Sequence, residues 1–421
     1  MPDARGEESD PTPLVEVRYE AWRLAALAAL AVLILIPVTL PVPVLRSLVQ
    51  DRFDVSEFAT SLFMSINMIG AALAAPLAGL LADRHLRRPL FIAVALVVDG
   101  LCFFALTLDV SFPLFMAIRF LEGCGHIVAL SLLLGLAHGA RPEHERGLAM
   151  GLAGGGLLLG VAIGAPIGGL LGRDDALMPL RVGAVLLLVT AALAATLLRE
   201  TRVHGRKRAG LGDMLGMVRD RPLILAPLAF AFADRFTVGF FTTTFSLYLT
   251  RIHGFGPAQI GGLIASFMLP FALLSVPLGQ LSRRLSLAVL LCGGSALYGL
   301  AVGSLTFWPP GALLVLMVAT GTLAAVMFVP SMLMTTELSP EELRTTSLGA
   351  FNAAGSLGFI VGPLVGGLVS QTVAAEAGWA AGYRAAFLVA GAAELLLAAS
   401  TFGALRRFER ARRRSASESV G

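Results

Sequence analysis

The sequence contains few charged residues. Asp, Glu, Lys and Arg make up only 14% of the 421 residues, about half of the share that soluble domains carry. This scarcity excludes an ordinary water-soluble domain. The net charge is only +4, and no basic stripe interleaved with aromatic residues occurs. We therefore expect no nucleic-acid partner.

The sequence also lacks cysteine patterns and catalytic motifs. Its three cysteines, Cys102, Cys124 and Cys292, lie in apolar runs without the spacing of metal ligands, so neither a disulfide framework nor a metal site is predicted. A nucleotide-binding G-x-x-x-x-G-K-[ST] loop, an H-E-x-x-H zinc motif and a G-x-S-x-G serine elbow are all absent. We expect no catalytic residues, no cofactor and no enzymatic activity.

Long apolar runs dominate the chain, because 56% of its residues are hydrophobic. Each run exceeds the roughly 17 residues that a helix needs to cross a bilayer. The runs are 22–48, 58–81, 89–109, 112–138, 147–172, 177–199, 222–250, 257–281, 286–307, 310–337, 347–370 and 380–405. They predict an all-α polytopic membrane protein with twelve transmembrane helices.

The basic residues predict how the chain is oriented in the bilayer. If the amino terminus is inside, 24 of the 32 basic residues lie in inner segments and six in outer segments. Positive loops stay in the cytoplasm, so both termini are expected there, in a multi-pass protein of the cell inner membrane. Residues 1–21 lack the basic start and cleavage site of a secretory signal peptide, so we expect the first run to remain in the membrane.

The polar segments predict the domain organisation. Residues 1–21 form an amino-terminal tail, and 200–221 form a flexible linker between six-helix bundles at 22–199 and 222–405. Residues 406–421 form a basic tail, RRFERARRR followed by polar residues. We expect this tail to contact anionic lipid headgroups.

An internal repeat supports the division into two bundles. A shift of 198 residues aligns segment 142–171 with segment 340–369, with Pro-Glu, Arg and several glycines in register. The fifth and eleventh spans are therefore equivalent, and the chain is a duplicated six-helix unit. In transporters built this way, the substrate lies between two halves that rock against each other.

The repeated glycines predict close helix contacts. They recur every fourth residue, and a proline lies between two of them in each half. This pattern favours tight helix packing and a hinge about equally. The residues concerned are Gly160, Gly164, Pro166 and Gly168 in the first half, and Gly358, Gly362, Pro363 and Gly366 in the second.

Three motifs resemble those of the major facilitator superfamily. GLLADRHLRRPL (79–90) resembles its loop signature, with Leu86 in place of the usual glycine. RFLEGCG (119–125) resembles the fourth-helix pattern, with Glu122 replacing glutamine. The glycine-rich fifth helix resembles the signature of the twelve-helix drug/proton antiporter group, with Pro166 one place late. The matching loop residues are Gly79, Leu81, Asp83, Arg84, Arg87 and Arg88.

This resemblance implies secondary transport by alternating access, with protons as the coupling ion. It also implies a conformational-switch loop, in which Asp83 locks the halves by facing the amino end of the eleventh helix. The partial positive charge at a helix amino end holds a carboxylate by roughly 0.3–1 kcal/mol. The arginines of the loop are equally explained by the positive-inside effect alone.

Six ionisable residues fall inside the predicted spans, where a charge costs at least about 2.5 kcal/mol. They are Asp99, Arg119, Glu122, Asp234, Arg235 and Glu394. Arg119, Glu122 and His126 share one face of the fourth helix. Their spacing favours proton transfer, and a static ion pair explains it as well. Glu122, His126, Asp234 and Asp99 are thus the candidates for proton coupling, whereas Glu394 is expected to pair rather than act.

Other residues are candidates for a central cavity. Arg235 could bind an anion or pair with Asp99 across the halves, and the aromatic seventh span would suit a bulky apolar substrate, although lipid-facing packing also explains it. The cavity candidates are Arg119, Arg235, Asn67, Asn352, Phe241 and Tyr248.

The leading hypothesis is proton-coupled efflux of small lipophilic or drug-like molecules by a monomer in the bilayer. The alternative is proton-coupled transport of a specific metabolite, such as a sugar or an organic anion. A non-transporting membrane receptor or enzyme is a third hypothesis, against which the missing catalytic motifs and the absence of an added soluble domain argue.

Overall fold

A computed structural model describes residues 13–83, 88–139, 146–198, 211–283, 285–340 and 343–418. Every regular element in these ranges is helical. The first half contains α1 (Pro13–Thr39), α2 (Glu57–Asp83), α3 (Arg88–Ala105), α4 (Phe112–Gly139), α5 (Arg146–Leu171) and α6 (Met178–Leu197). There follow α7 (Leu211–Asp220), α8 (Leu225–Thr242), α9 (Thr244–His253), α10 (Pro257–Gly279), α11 (Leu287–Ser304), α12 (Leu313–Leu338), α13 (Arg344–Ala377) and α14 (Trp379–Glu418).

Within the described ranges, eleven helical segments are long and apolar enough to cross a membrane. The remaining predicted span is α5, a helix of 26 residues, of which Gly155–Leu171 is described with its side chains and is apolar. The prediction of an all-α polytopic membrane protein is therefore confirmed.

Two spans are interrupted near the same end of the molecule. The seventh span divides into α8 and α9 at Thr243, whose backbone lies outside the helical region (φ −131°, ψ −77°). Thr243 is the middle of three consecutive threonines, and β-branched side chains weaken a helix. The first span ends its α-helix at Thr39 and continues as a 3-10 turn, Val42–Val44, and a π-helix, Arg46–Asp51, because Pro41 and Pro43 cannot donate helix hydrogen bonds.

The ends of the chain and the linker contain more helix than the polar segments predict. α1 begins at Pro13, inside the predicted tail 1–21, and α14 continues to Glu418, through most of the predicted tail 406–421. Residues 404–418 contain neither glycine nor proline, so nothing in that segment interrupts the helix. Within the predicted linker 200–221, Leu211–Asp220 forms α7, and residues 199–210 lie outside the described ranges.

The repeat in the sequence recurs as a repeat in packing. In the first half α1 packs on α5, α2 on α4 and α3 on α6; in the second half α8 packs on α13, α10 on α12 and α11 on α14. Between the halves, α2 packs on α13 and α5 packs on α10. Two six-helix bundles thus meet along equivalent pairs of helices.

The predicted glycines lie in close helix contacts. A Cβ atom at Gly168 would lie 2.0 Å from the carbonyl oxygen of Leu40 in α1, and one at Gly362 would lie 2.2 Å from that of Phe236 in α8. Gly160 and Gly164 also face α1, whereas Gly358 and Gly366 face α8 and Thr244 at the start of α9. Only glycine allows the backbones to approach this closely.

Candidate functional site

The first group of buried polar side chains lies between α2, α3 and α4, and we call it the α4 cluster (Asn67, Asp99, Arg119, Glu122 and His126). Arg119 Nη1 lies 2.9 Å from Glu122 Oε2, with both side chains almost fully buried. Asn67 of α2 donates a hydrogen bond to the same carboxylate oxygen. Asn67 can reach Glu122 because Gly123 lets the two backbones touch, a Cβ there lying 2.0 Å from the carbonyl oxygen of Asn67.

Asp99 and His126 form the other side of the α4 cluster. His126 Nδ1 lies 3.0 Å from Asp99 Oδ2, and both residues are buried. Ligand atoms of Asp99, Glu122 and His126 all lie within 4.8 Å of one another. This set of donors could hold a metal ion, but Arg119 already neutralises Glu122. The arrangement is better suited to exchanging protons than to holding a divalent cation.

Aromatic rings support the buried guanidinium of Arg119. Its Cζ atom lies 4.6 Å from the ring centroid of Phe63 and 5.8 Å from that of Phe103. Such cation–π contacts compensate in part for lost hydration. Arg119 is thus enclosed by one carboxylate and two rings within its own bundle.

The second group lies between α8, α11 and α14, and we call it the α8 cluster (Asp234, Arg235, Thr237, Ser295, Tyr298 and Glu394). Arg235 Nη1 lies 3.7 Å from Asp234 Oδ2. Oδ1 of Asp234 is buried and has no hydrogen-bond partner among the described residues. The guanidinium of Arg235 lies 5.6 Å from the ring centroid of Phe328 in α12 and 5.5 Å from that of Phe351 in α13.

The hypothesis that Arg235 pairs with Asp99 across the halves is wrong. Asp99 pairs with His126, and Arg235 pairs with its neighbour Asp234. The reason is that α3 packs on α4 and α6 of its own half, which directs Asp99 into the first bundle.

Glu394 of α14 is bound by hydroxyl groups. Ser295 Oγ donates to Glu394 Oε2 over 2.5 Å, and Thr237 Oγ1 donates to Oε1 over 3.4 Å. The hydroxyl of Tyr298 is also buried, with no hydrogen-bond partner in the described part of the chain. Glu394 therefore pairs, as expected, but with neutral donors of α8 and α11.

The two halves are joined at the end of the molecule opposite the chain termini. There Ser65 Oγ donates to the carbonyl oxygen of Ile360 over 2.8 Å, the amide of Phe58 donates to Gln371 over 3.0 Å, and Ser246 Oγ donates to the carbonyl oxygen of Val42 over 2.8 Å. These bonds link α2 to α13, and α9 to the turn after α1.

At the other end, which carries the termini and α7 and is called here the terminal end, the same helix faces separate. On α2, Ala72 and Pro76 continue the face of Ser65; on α13, Ser356 and Ala353 continue the face of Ile360. All four are exposed. The space between the bundles therefore opens towards the terminal end.

The remaining cavity candidates occupy different environments. Asn352 is exposed on α13, near this opening. Phe241 and Tyr248 are buried instead, Phe241 stacked 4.6 Å from Phe267 and Tyr248 edge-on to Phe387. The aromatic residues of the seventh span thus pack largely inside the second bundle.

An ionic contact between the halves was not predicted from the sequence. Arg251 Nη2 of α9 lies 3.4 Å from Glu57 Oε2 at the start of α2, and its guanidinium lies 3.7 Å from the ring centroid of Trp379. Glu57 is fully buried. Its position at the edge of an apolar run was the only available signal, and Arg251 counted only as a loop charge.

Comparison with known proteins gives the family. The model of the Major Facilitator Superfamily matches residues 27–245 and 228–420. The chain belongs to the Major Facilitator Superfamily. Superfamily members are membrane transporters, so the resemblance of the three motifs is confirmed at this level.

Two curated superfamily transporters are similar to the chain. The 3-(3-hydroxy-phenyl)propionate transporter of Escherichia coli (strain K12) is 25% identical over 362 residues, 83% of this chain and 87% of that protein. The synaptic vesicular amine transporter of Bos taurus is 30% identical over 165 residues, which cover 38% of this chain and 31% of that protein.

Solved structures agree on the superfamily fold. An inward-facing, unoccupied bacterial homologue of the human lysosomal transporter Spinster has a TM-score of 0.79 and 16% identity, covering 94% of this chain and 98% of its own. A D-xylose–proton symporter has a TM-score of 0.74 and 14% identity, covering 90% and 97%. These identities support the fold alone.

The superfamily loop between α2 and α3 is described only in part. Gly79 and Asp83 lie in the last turns of α2, where the backbone alone is described, and Arg84 and Arg87 lie outside the described residues. Arg88 begins α3 and is buried. The residue before α13, Leu343, makes no side-chain cap, and the Ser347 hydroxyl donates to the carbonyl oxygen of Leu343 over 3.0 Å.

Proposed function

We propose that this superfamily member is a proton-coupled secondary transporter that works by alternating access. The observation that carries the proposal is the combination of an opening between the bundles at the terminal end and interhalf bonds at the other end. A rocking motion of the bundles would break those bonds and close the opening.

Proton coupling is proposed for the α4 cluster. Its three ionisable side chains, Asp99, Glu122 and His126, are buried within 4.8 Å of one another, so the charge of each depends on the others. Glu122 is held by Arg119 of the same helix and by Asn67 of α2, and movement of α2 against α4 would change the Asn67 contact. Protonation of Glu122 would in that way follow the conformation of the first bundle.

Orientation and assembly follow from the same proposal. The protein lies in the cell inner membrane with both termini in the cytoplasm. The opening at the terminal end therefore faces the cytoplasm. A single chain supplies both six-helix bundles and the opening between them. The protein therefore acts as a monomer in the bilayer, with no need for a second copy.

Two substrate classes are supported. Efflux of small lipophilic molecules is supported by the antiporter-like fifth helix and by the local similarity to an amine transporter. Transport of an organic anion is supported by Arg235 between two phenylalanine rings and by the similarity, over most of the chain, to a transporter of an aromatic carboxylate.

The test is proton flux in sealed vesicles that contain the purified protein. A preset pH gradient is monitored with an internal pH dye while lipophilic amines, aromatic carboxylates and sugars are added in turn. A compound that changes the internal pH only when the protein is present supports the proposal. Silence for every compound, with the protein correctly inserted, contradicts it.

A further inference from the structure

Arg235 is a partly exposed cation within the second bundle. On α8 a stripe of partly or fully exposed residues runs from the terminal end: Leu225, Leu228, Ala229, Phe232 and Arg235. These positions share one helix face. Beyond Arg235 the stripe closes, because Gly239 packs against Pro363 of α13. The guanidinium therefore lies at the inner limit of the opening.

Among the described residues, two aromatic rings and one carboxylate contact the Arg235 guanidinium. Phe328 and Phe351 flank the guanidinium, and α13 approaches at Gly355, where a Cβ would collide with the Arg235 side chain. Its acidic partner, Asp234, is 3.7 Å away, longer than a direct hydrogen bond. Arg235 thus keeps much of its hydrogen-bonding capacity for another planar anion.

Asp234 is also close to a second carboxylate. Arg235 of α8 acts electrostatically on Asp234, and Asp234 acts in turn on Glu394 of α14 and on Tyr298 of α11. Arg235 is the only cation among these groups. If another anion takes the guanidinium, Asp234 is left as a buried carboxylate without a counter-charge, which is unfavourable unless it is neutralised.

We propose that Arg235 binds the carboxylate of an aromatic organic anion between Phe328 and Phe351, and that Asp234 takes up a proton when the anion displaces it. The proton comes from water in the opening and adds to a carboxylate oxygen of Asp234. The net charge of the site is unchanged, because one bound anion replaces one carboxylate. The proposal rests on the proposed transport function and names its substrate class.

This exchange has a consequence for the direction of transport. Anion and proton promote each other's binding, so they would cross the membrane together. Competition between them, which efflux by exchange requires, would not occur at this site. The α8 cluster thus favours symport of an organic anion over exchange of a lipophilic cation.

The experiment uses the purified full chain and the probe 3-phenylpropionate, with 3-phenylpropylamine of matched shape as the cationic control. Calorimetric titration in two buffers of different ionisation enthalpy measures proton uptake. The wild type is expected to take up about one proton per bound anion, and to bind the anion more tightly as the pH falls.

Three variants separate the roles, and a fourth serves as the control. Arg235→Gln should weaken 3-phenylpropionate binding about tenfold or more, and Asp234→Asn should bind it at least as tightly as the wild type with no proton uptake. The double variant Asp234→Asn/Arg235→Gln keeps the net charge and should fold but not bind. Arg181→Gln removes an exposed ion pair with Asp175 and should change nothing.

Undiminished anion binding by a folded Arg235→Gln protein would overturn the proposal. So would anion binding by the wild type without proton uptake, or no detectable binding of 3-phenylpropionate. A proton flux assay in vesicles tests transport independently. If 3-phenylpropionate binds as expected but drives no proton flux, the transport function is contradicted and the anion site remains. If only amines drive proton flux, the anion site alone is contradicted.

Discussion

Glu57 and Arg251 form a buried ion pair that joins the two bundles at the end opposite the chain termini. Glu57 begins α2 in the first bundle, and Arg251 lies in α9 of the second, with 3.4 Å between Arg251 Nη2 and Glu57 Oε2. Trp379 covers the guanidinium from α14. The molecule must break this ion pair to open at this end. The strength of the pair therefore contributes to the free-energy difference between the two conformations.

Loss of Arg251 alone should shift that balance. Arg251→Gln leaves the Glu57 carboxylate buried without its counter-charge, which costs about 3–5 kcal/mol in fully buried pairs. A smaller effect is expected here because the Arg251 side chain is 18% exposed. Spin labels on the exposed residues Ser56 of the first bundle and Thr372 of the second should report a larger population with a long interlabel distance.

The matched control is the double variant Glu57→Gln/Arg251→Gln. Removing both charges leaves no buried ion, so its distance distribution should return towards that of the wild type. If Arg251→Gln and the double variant behave identically, the ion pair is not a latch between the bundles.

Glu122→Gln should abolish proton-driven transport while leaving substrate binding within about threefold of the wild type. Glutamine keeps the size of the side chain and can still accept the hydrogen bond from Asn67, but it cannot bind and release a proton. Proton flux and equilibrium binding are measured on the same protein. Glu376→Gln, at the exposed end of α13, is the control and should transport normally; normal coupling in Glu122→Gln would sink the proton role.

Gly168→Ala should lower the stability of the first bundle. The added Cβ would lie 2.0 Å from the carbonyl oxygen of Leu40, so α5 must move away from α1 at a cost of about 1–3 kcal/mol. Gly155→Ala, on the same helix with no atom within 4 Å of its Cβ position, should be neutral or slightly stabilising. Apparent melting temperatures of the purified variants measure the difference, and equal values would show that the helices do not need this close contact.

Asp83→Asn should lower transport without lowering the amount of protein in the membrane. The residue before α13, Leu343, makes no side-chain cap, so the backbone N–H groups at this helix end can attract a carboxylate when the terminal end closes. Transport rate and membrane level are compared with those of the wild type. Undiminished transport by Asp83→Asn would count against a lock at this position.

Some of the site could be predicted because membrane insertion makes charges conspicuous. Helical spacing identified Arg119, Glu122 and His126 as a group. In the structure, Glu122 forms an ion pair with Arg119. The partner of His126 could not be predicted, because Asp99 lies on another helix and only the packing of α3 on α4 brings it within 3.0 Å. Asn67 reached Glu122 for a similar reason, since Gly123 determines how closely α2 approaches α4.

The aromatic residues show the opposite case. The aromatic residues of the seventh span pointed to a cavity surface, but Phe241 and Tyr248 are buried. Hydrophobicity favours burial against protein, lipid or substrate alike, so composition cannot distinguish these environments. The rotation of α8 and α9 about their axes decides which of their side chains face the protein interior. That rotation depends on contacts with α10, α13 and α14.

By itself, the sequence determined that the chain spans a membrane repeatedly, that it consists of two equivalent halves, and that a few ionisable groups lie within the spans. These features depend on local hydrophobicity and on helix periodicity, which are properties of segments. Only the tertiary structure decided which charges pair, that Glu57 and Arg251 join the halves, and that Arg235 lies at the inner limit of the opening. Such contacts arise between helices far apart in the chain, and their geometry depends on how closely the backbones approach.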